Sequence, residues 1–149
     1  MEKGLYLTGS PDEHGELKIG ASGFPKVDAY LGVNEKAPVY VNDKAAQVGL
    51  KASLWMPIHD RPPFPGCEWL DMCVDFIIFC RKKGWSLIVH CVAGMSRSAM
   101  VMIAFYMKDQ NLTVEKAVAK VLAKRPVEPD PSFVEGLYEY KDYLAKTKN

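Results

Sequence analysis

The segment His90–Cys91–Val92–Ala93–Gly94–Met95–Ser96–Arg97–Ser98 holds the residues best suited to chemistry. Cys91 and Arg97 enclose five residues, enough to carry the backbone once around a tetrahedral anion. The amide N–H groups of Val92, Ala93, Gly94, Met95 and Ser96 can then converge on the anion's oxygens, and a helix N-terminus behind them adds its positive end. Gly94 permits backbone geometry that a side chain would obstruct. Arg97 supplies a planar fork able to hold two oxygens at once. The same inward amides, helix end and guanidinium favour the thiolate of Cys91, the form in which a cysteine attacks. His90 is placed to hold the loop and support that ionisation, and it is not read as a base. The chemistry implied is capture of a phosphate-like anion followed by attack from sulfur.

Such a loop needs a strand that ends at His90 and a helix that begins near Ser96. Trp85–His90 reads as a central strand and Ser96–Lys108 as an apolar helix. The loop therefore lies beyond the carboxyl end of a strand, where open α/β sheets bind ligands. Cys67–Lys83 is predicted to be helical, with Leu70, Cys73, Val74 and Ile77 on one face. Phe76, Ile78 and Phe79 broaden that face, and Gly84 ends the helix. Arg81, Lys82 and Lys83 read as an exposed, dipole-compatible end. Val114, Ala117, Val118, Val121 and Leu122 follow the spacing of a further amphipathic helix. A last helix is expected from Ser132, with Glu135 completing a capping box and Phe133, Leu137, Tyr140 and Leu144 facing inward.

The first half reads as strands at Gly4–Thr8, Val27–Val33 and Ala52–Ile58. The stretch Gly9–Pro25 reads as turns holding one short strand at Glu16–Ile19, and Asp43–Val48 as a short helix. The prolines of Arg61–Gly66 impose a loop. Strands alternating with helices predict one compact α/β domain over residues 1–149, with a central, mostly parallel sheet flanked by helices.

Charge and hydropathy exclude several functions. With 19 basic and 18 acidic residues there is no basic excess of the kind a nucleic-acid surface needs, so an anion must be recognised locally. The N-terminus has no long apolar stretch, and the run Ala99–Met107 is too short to cross a bilayer. Without export signals, Cys67, Cys73, Cys80 and Cys91 are expected as thiols in a reducing cytoplasm. A cytoplasmic monomer without membrane or nucleic-acid partners is expected.

The loop resembles the protein tyrosine phosphatase signature His-Cys-x5-Arg-Ser/Thr, and Ser96 before Arg97 resembles the dual-specificity branch. Ala104–Phe105–Tyr106–Met107, Arg125–Pro126 and Pro131–Leu144 are similar to that branch's later helices, whereas only Leu5–Tyr6–Leu7 resembles its beginning. The resemblance implies a general acid on a loop upstream, and Asp60 stands 31 positions before Cys91. It further implies two steps. Cys91 takes the phosphoryl group while Asp60 protonates the leaving oxygen, and water then hydrolyses the phosphocysteine with Ser98 assisting sulfur departure. Neither metal nor cofactor is implied, and the implied substrate is a phosphorylated protein or peptide.

Plainer readings stand beside these. Asp60 would be a loop-capping residue, while Asp71 and Asp75 lie inside a predicted helix and suit an acid poorly. Cys73 and Cys80 read as core. Cys67, at a loop edge, is the best placed to act as a resolving thiol for Cys91. His59 reads as structural and His14 as a solvated loop residue. The loop after Asp60 either lines the pocket mouth or simply turns. A small phosphomonoester or phosphoinositide substrate and a non-catalytic phosphopeptide-binding module remain the alternatives. Val92 and Met95, where lipid-directed relatives tend to carry lysine, argue against a highly charged headgroup.

Overall fold

The computed structural model describes residues 3–8, 26–35, 48–60, 62–91 and 96–147. Among them four strands and four helices follow in order: β1 (Leu5–Thr8), β2 (Ala29–Gly32), β3 (Ala52–Trp55), α1 (Cys67–Lys82), β4 (Leu87–His90), α2 (Arg97–Asp109), α3 (Val114–Leu122) and α4 (Pro131–Thr147). The strands form a sheet in the order β1-β4-β2-β3, and every pair is parallel. β4 is interior, with Val89 opposite Leu7 on one side and Leu31 on the other. The strand that delivers His90 is therefore braced from both flanks. The strands are shorter than predicted: β3 stops before Pro57, which cannot donate to a ladder. The expected strand Glu16–Ile19 and nearly all of the expected helix Asp43–Val48 lie outside the described residues.

Strand alternation divides the interior in two. Leu5, Leu7, Ala29, Leu31, Leu87 and Val89 face the helices in the main core. Val27, Tyr30 and Ile88 form a smaller cluster, with Tyr6, Val48 and Leu50 packed against it. Every buried apolar residue of the four helices belongs to the main core. α2 lies at its centre and is buried from Arg97 to Met107. Between those two positions it carries no other charged residue, so every side of it can pack.

The other helices bury narrower faces than their apolar residues suggested. α1 buries Leu70, Cys73, Val74, Ile77 and Cys80, whereas Phe79 is 49% exposed and lies edge-on against Trp85. α3 buries Val114, Ala117 and Val121 and leaves Leu122 exposed. The Thr113 hydroxyl caps α3 by accepting from the Lys116 N–H at 3.2 Å. α4 begins one residue earlier than the Ser132–Glu135 pattern predicts. Pro131, which has no N–H to satisfy, takes the first position. Asp130 then caps the helix, its Oδ1 accepting from the Ser132 N–H at 2.8 Å and from the Ser132 hydroxyl at 2.6 Å. Arg81 also departs from the exposed helix end expected for it. Its guanidinium donates to the carbonyls of Lys3 at 2.8 Å and Trp85 at 3.4 Å, tying the end of α1 to the start of β1.

Candidate active site

Cys91 follows directly on β4 and is 1% exposed. Its Sγ lies 3.1 Å from the Ser98 Oγ, in the first turn of α2. A parallel strand feeding a helix on one face of the sheet brings these two side chains together across the loop. Arg97 opens α2 and is 7% exposed. Its Nη1 donates to the Ile58 carbonyl at 3.2 Å, while its buried Nε has no hydrogen-bond partner among the described residues. A buried cationic donor left open is costly, and an anion placed against it removes that cost. Ser96, just before, accepts from the Asp130 N–H at 2.9 Å, which fixes the helix side of the loop to the start of α4. Val92, Ala93, Gly94 and Met95 lie outside the described residues. The described site therefore consists of the two ends of the expected cradle, brought together by β4 and α2.

His90 is 1% exposed, and its Nδ1 is hydrogen-bonded to the Tyr30 hydroxyl at 2.8 Å. Burial, reinforced by the nearby Arg97 charge, pulls its pKa down to about 4. The imidazole is thus neutral near pH 7, and any support it gives Cys91 comes through hydrogen bonding and placement. Tyr30 was not among the residues that sequence reasoning singled out. It is fully buried, two positions before Gly32 on the same face of β2. A Cβ at Gly32 would stand 2.6 Å from the Tyr30 hydroxyl oxygen and 2.8 Å from its Cε1. Gly32 is the register partner of His90, and the Val33 N–H donates to the His90 carbonyl at 2.9 Å. A glycine inside a strand often marks such a close approach, and it was the one signal in the sequence for this arrangement.

Asp60 is exposed and shares an open groove of about 260 Å³ with Ser96, Glu128, Pro129, Asp130 and Pro131. It lies two residues after Ile58, whose carbonyl holds Arg97. The loop beyond it packs on α4, because Phe64 occupies the space where Gly136 lacks a side chain. His59 meets Glu35 at 2.7 Å on the surface. Asp71 and Asp75 bind the Lys108 ammonium at 2.9 and 2.8 Å, and Tyr140 donates to Asp71 at 2.6 Å. These two carboxylates clamp α1 to α2 and α4, away from any acid role. Cys73 and Cys80 are core thiols whose pKa values burial pushes up, to about 11 for Cys80. At Cys67, burial and the charges of Glu139 and Asp71 act in the same direction, which disfavours an attacking thiolate. His14 lies outside the described residues.

Residues 24–143 match the family described as dual specificity phosphatase, catalytic domain. The chain is 40% identical to dual specificity protein phosphatase 12 of Mus musculus over 157 aligned residues, covering 100% of this chain and 43% of that protein. It is 36% identical to dual specificity protein phosphatase 15 of Rattus norvegicus over 138, covering 92% of this chain and 54% of that protein. The chain thus spans only about half the length of these relatives. The crystal structure of human DUSP28 superposes with a TM-score of 0.77 at 24% identity, covering 97% of this chain and 96% of the other, and so shares its fold.

Proposed function

The chain belongs to the dual specificity phosphatase family, and on that premise we propose that it hydrolyses phosphomonoesters on protein side chains with Cys91 as nucleophile. One observation carries this reading: the Cys91–Ser98 contact of 3.1 Å stands beside a buried Arg97 whose Nε is open. Sulfur, a leaving-group donor and an anion-binding fork meet at one helix N-terminus.

In the first step the Cys91 sulfur attacks phosphorus in line. The S–P bond forms as the P–O bond to the substrate breaks, and Asp60 gives its proton to the departing oxygen. Arg97 and the amides of residues 92–96 hold the equatorial oxygens as charge shifts onto them. In the second step water attacks phosphorus and Asp60 recovers a proton from it. The sulfur departs with the bonding pair, and the Ser98 hydroxyl donates to it. His90 keeps Cys91 in register through Tyr30 and takes no proton. The open groove beside Ser96 suits phosphoserine and phosphothreonine as well as phosphotyrosine. The four cysteines stand as thiols, which suits a reducing cytoplasm.

Release of phosphate from para-nitrophenyl phosphate without added metal tests the assignment. Cys91→Ser is expected to abolish turnover, and Asp60→Asn to lower it by roughly 10²–10⁴-fold, the usual worth of a general acid. Turnover surviving Cys91→Ser would overturn the mechanism. Intact phosphopeptide binding by an inert native chain would reassign it as a binding module.

A further inference from the structure

The groove beside the site has a charge opposite to that of the pocket it adjoins. Its ionisable lining residues among those described, Asp60, Glu128 and Asp130, are all acidic. Asp130 accepts two hydrogen bonds from Ser132, which orient its carboxylate without neutralising it. Glu128 is exposed, and no hydrogen bond or ion pair joins it to another described residue. Arg97 follows Ser96 of this groove in the chain and donates to the Ile58 carbonyl, two residues before Asp60; it is 7% exposed, and its Nε has no partner among the described residues. A ligand complementary to both carries an anion and, one or two side chains away, a cation.

The rest of the surface supports this polarity. A second groove of about 430 Å³ runs along β1 and is lined by Lys3, Lys124 and Arg125, and its described lining holds no cysteine. The near-zero net charge thus hides two grooves of opposite sign, and the acidic one is lined by Asp60 and by Ser96, the residue before Arg97.

We propose that Glu128, helped by Asp130, is a specificity-determining residue that selects phosphorylated side chains flanked by lysine or arginine. The inference rests on the phosphatase reading above and names its substrate class. With the phosphate on Arg97, the neighbouring peptide side chains cross the acidic wall. A basic flank is attracted there, while a carboxylate or second phosphate is repelled. Exposed pairs of this kind are individually weak, so two of them acting in opposite directions separate basic from acidic flanks by roughly tenfold.

The test uses the full chain carrying Cys91→Ser and three phosphotyrosine peptides that differ only in flanking residues: arginine, alanine or glutamate. Fluorescence anisotropy is expected to rank them in that order, with roughly tenfold between the ends at low salt. The span should shrink at about 1 M salt, where exposed charges are screened. Adding Glu128→Lys should erase or reverse the order. Attraction by the slightly positive whole chain would favour the glutamate peptide, so the sign of the effect separates the groove from bulk charge. Equal affinities, the opposite order, an order that survives Glu128→Lys, or no binding of any peptide would overturn the proposal. Hydrolysis of para-nitrophenyl phosphate by the native chain is measured in parallel. Activity without a flank preference sinks the groove alone, whereas a preference without activity sinks the phosphatase reading and leaves the groove as a binding determinant.

Discussion

The two faces of the sheet solve different problems. The helical face buries a continuous apolar volume in which α2 is surrounded on all sides. The opposite face holds a small cluster around Tyr30 and Ile88 among the described residues, and its most consequential contact is the hydrogen bond between Tyr30 and His90. Apolar packing is cumulative and tolerates small shifts, while a single buried polar pair is directional. The helical face should therefore supply most of the stability. The opposite face should set the angle at which β4 presents Cys91.

Breaking the helical face gives the largest expected effect. Ile103 is fully buried in α2, and Ile103→Ala is expected to cost about 2–5 kcal/mol of stability through lost burial and the cavity left behind. Urea unfolding measures that loss. Turnover per folded molecule should stay close to native, because Ile103 lies in the apolar core beyond the first turn of α2 that carries Arg97 and Ser98. A loss of turnover as large as the loss of stability would show that the two faces are not separable.

Acid sharpens the contrast from the other side. His90 has a folded pKa of about 4 against an ordinary 6.5, so the unfolded chain binds the proton more readily. The stability associated with neutral His90 is complete above pH 6.5 and is lost as pH falls toward 4. The total is about 3 kcal/mol, from the size of the shift. Urea midpoints at pH 7 and pH 4.5 should fall apart in the native chain and move closer together in His90→Gln. Ile103→Ala should lower both midpoints alike. An undiminished acid sensitivity in His90→Gln would place the responsible group elsewhere.

The sequence was informative where the signal is local. The Cys91–Arg97 spacing, the apolar run of α2 and the stripe of α1 are each written within one or two turns of chain, and each is present. Asp60 needed the family resemblance, because nothing local separates an acid from a loop cap. Helix width was less legible. Periodicity names a stripe, but Phe79 and Leu122 lie at its margin, where the reach of neighbouring elements decides burial. At α4 two start signals competed, and Pro131 behind Asp130 prevailed over Ser132 with Glu135. Long-range polar contacts were least legible. Tyr30 and His90 are 60 positions apart, and Glu128 and Asp60 line one groove only because two distant stretches of chain converge there. Gly32 was a trace of the first of these, and the second left none.

That trace offers the smallest and most discriminating test. Tyr30→Phe removes the hydroxyl that meets His90 and is expected to cost about 1 kcal/mol, the usual worth of one intramolecular hydrogen bond. Gly32→Ala pushes the same ring from the other side, because the new Cβ would sit within 3 Å of it, and should cost at least as much. If Gly32 exists to seat Tyr30 against His90, the two changes act on one contact. Their combined cost should then fall short of the sum by about 0.5–1 kcal/mol in a double-mutant cycle. Each should also lower kcat/KM for para-nitrophenyl phosphate at unchanged fold, which Ile103→Ala should not. Strict additivity would mean that Tyr30 does not depend on the notch. Unchanged kcat/KM in both variants would mean that this face holds His90 without aiming Cys91, and the division of labour between the faces would reduce to one of stability alone.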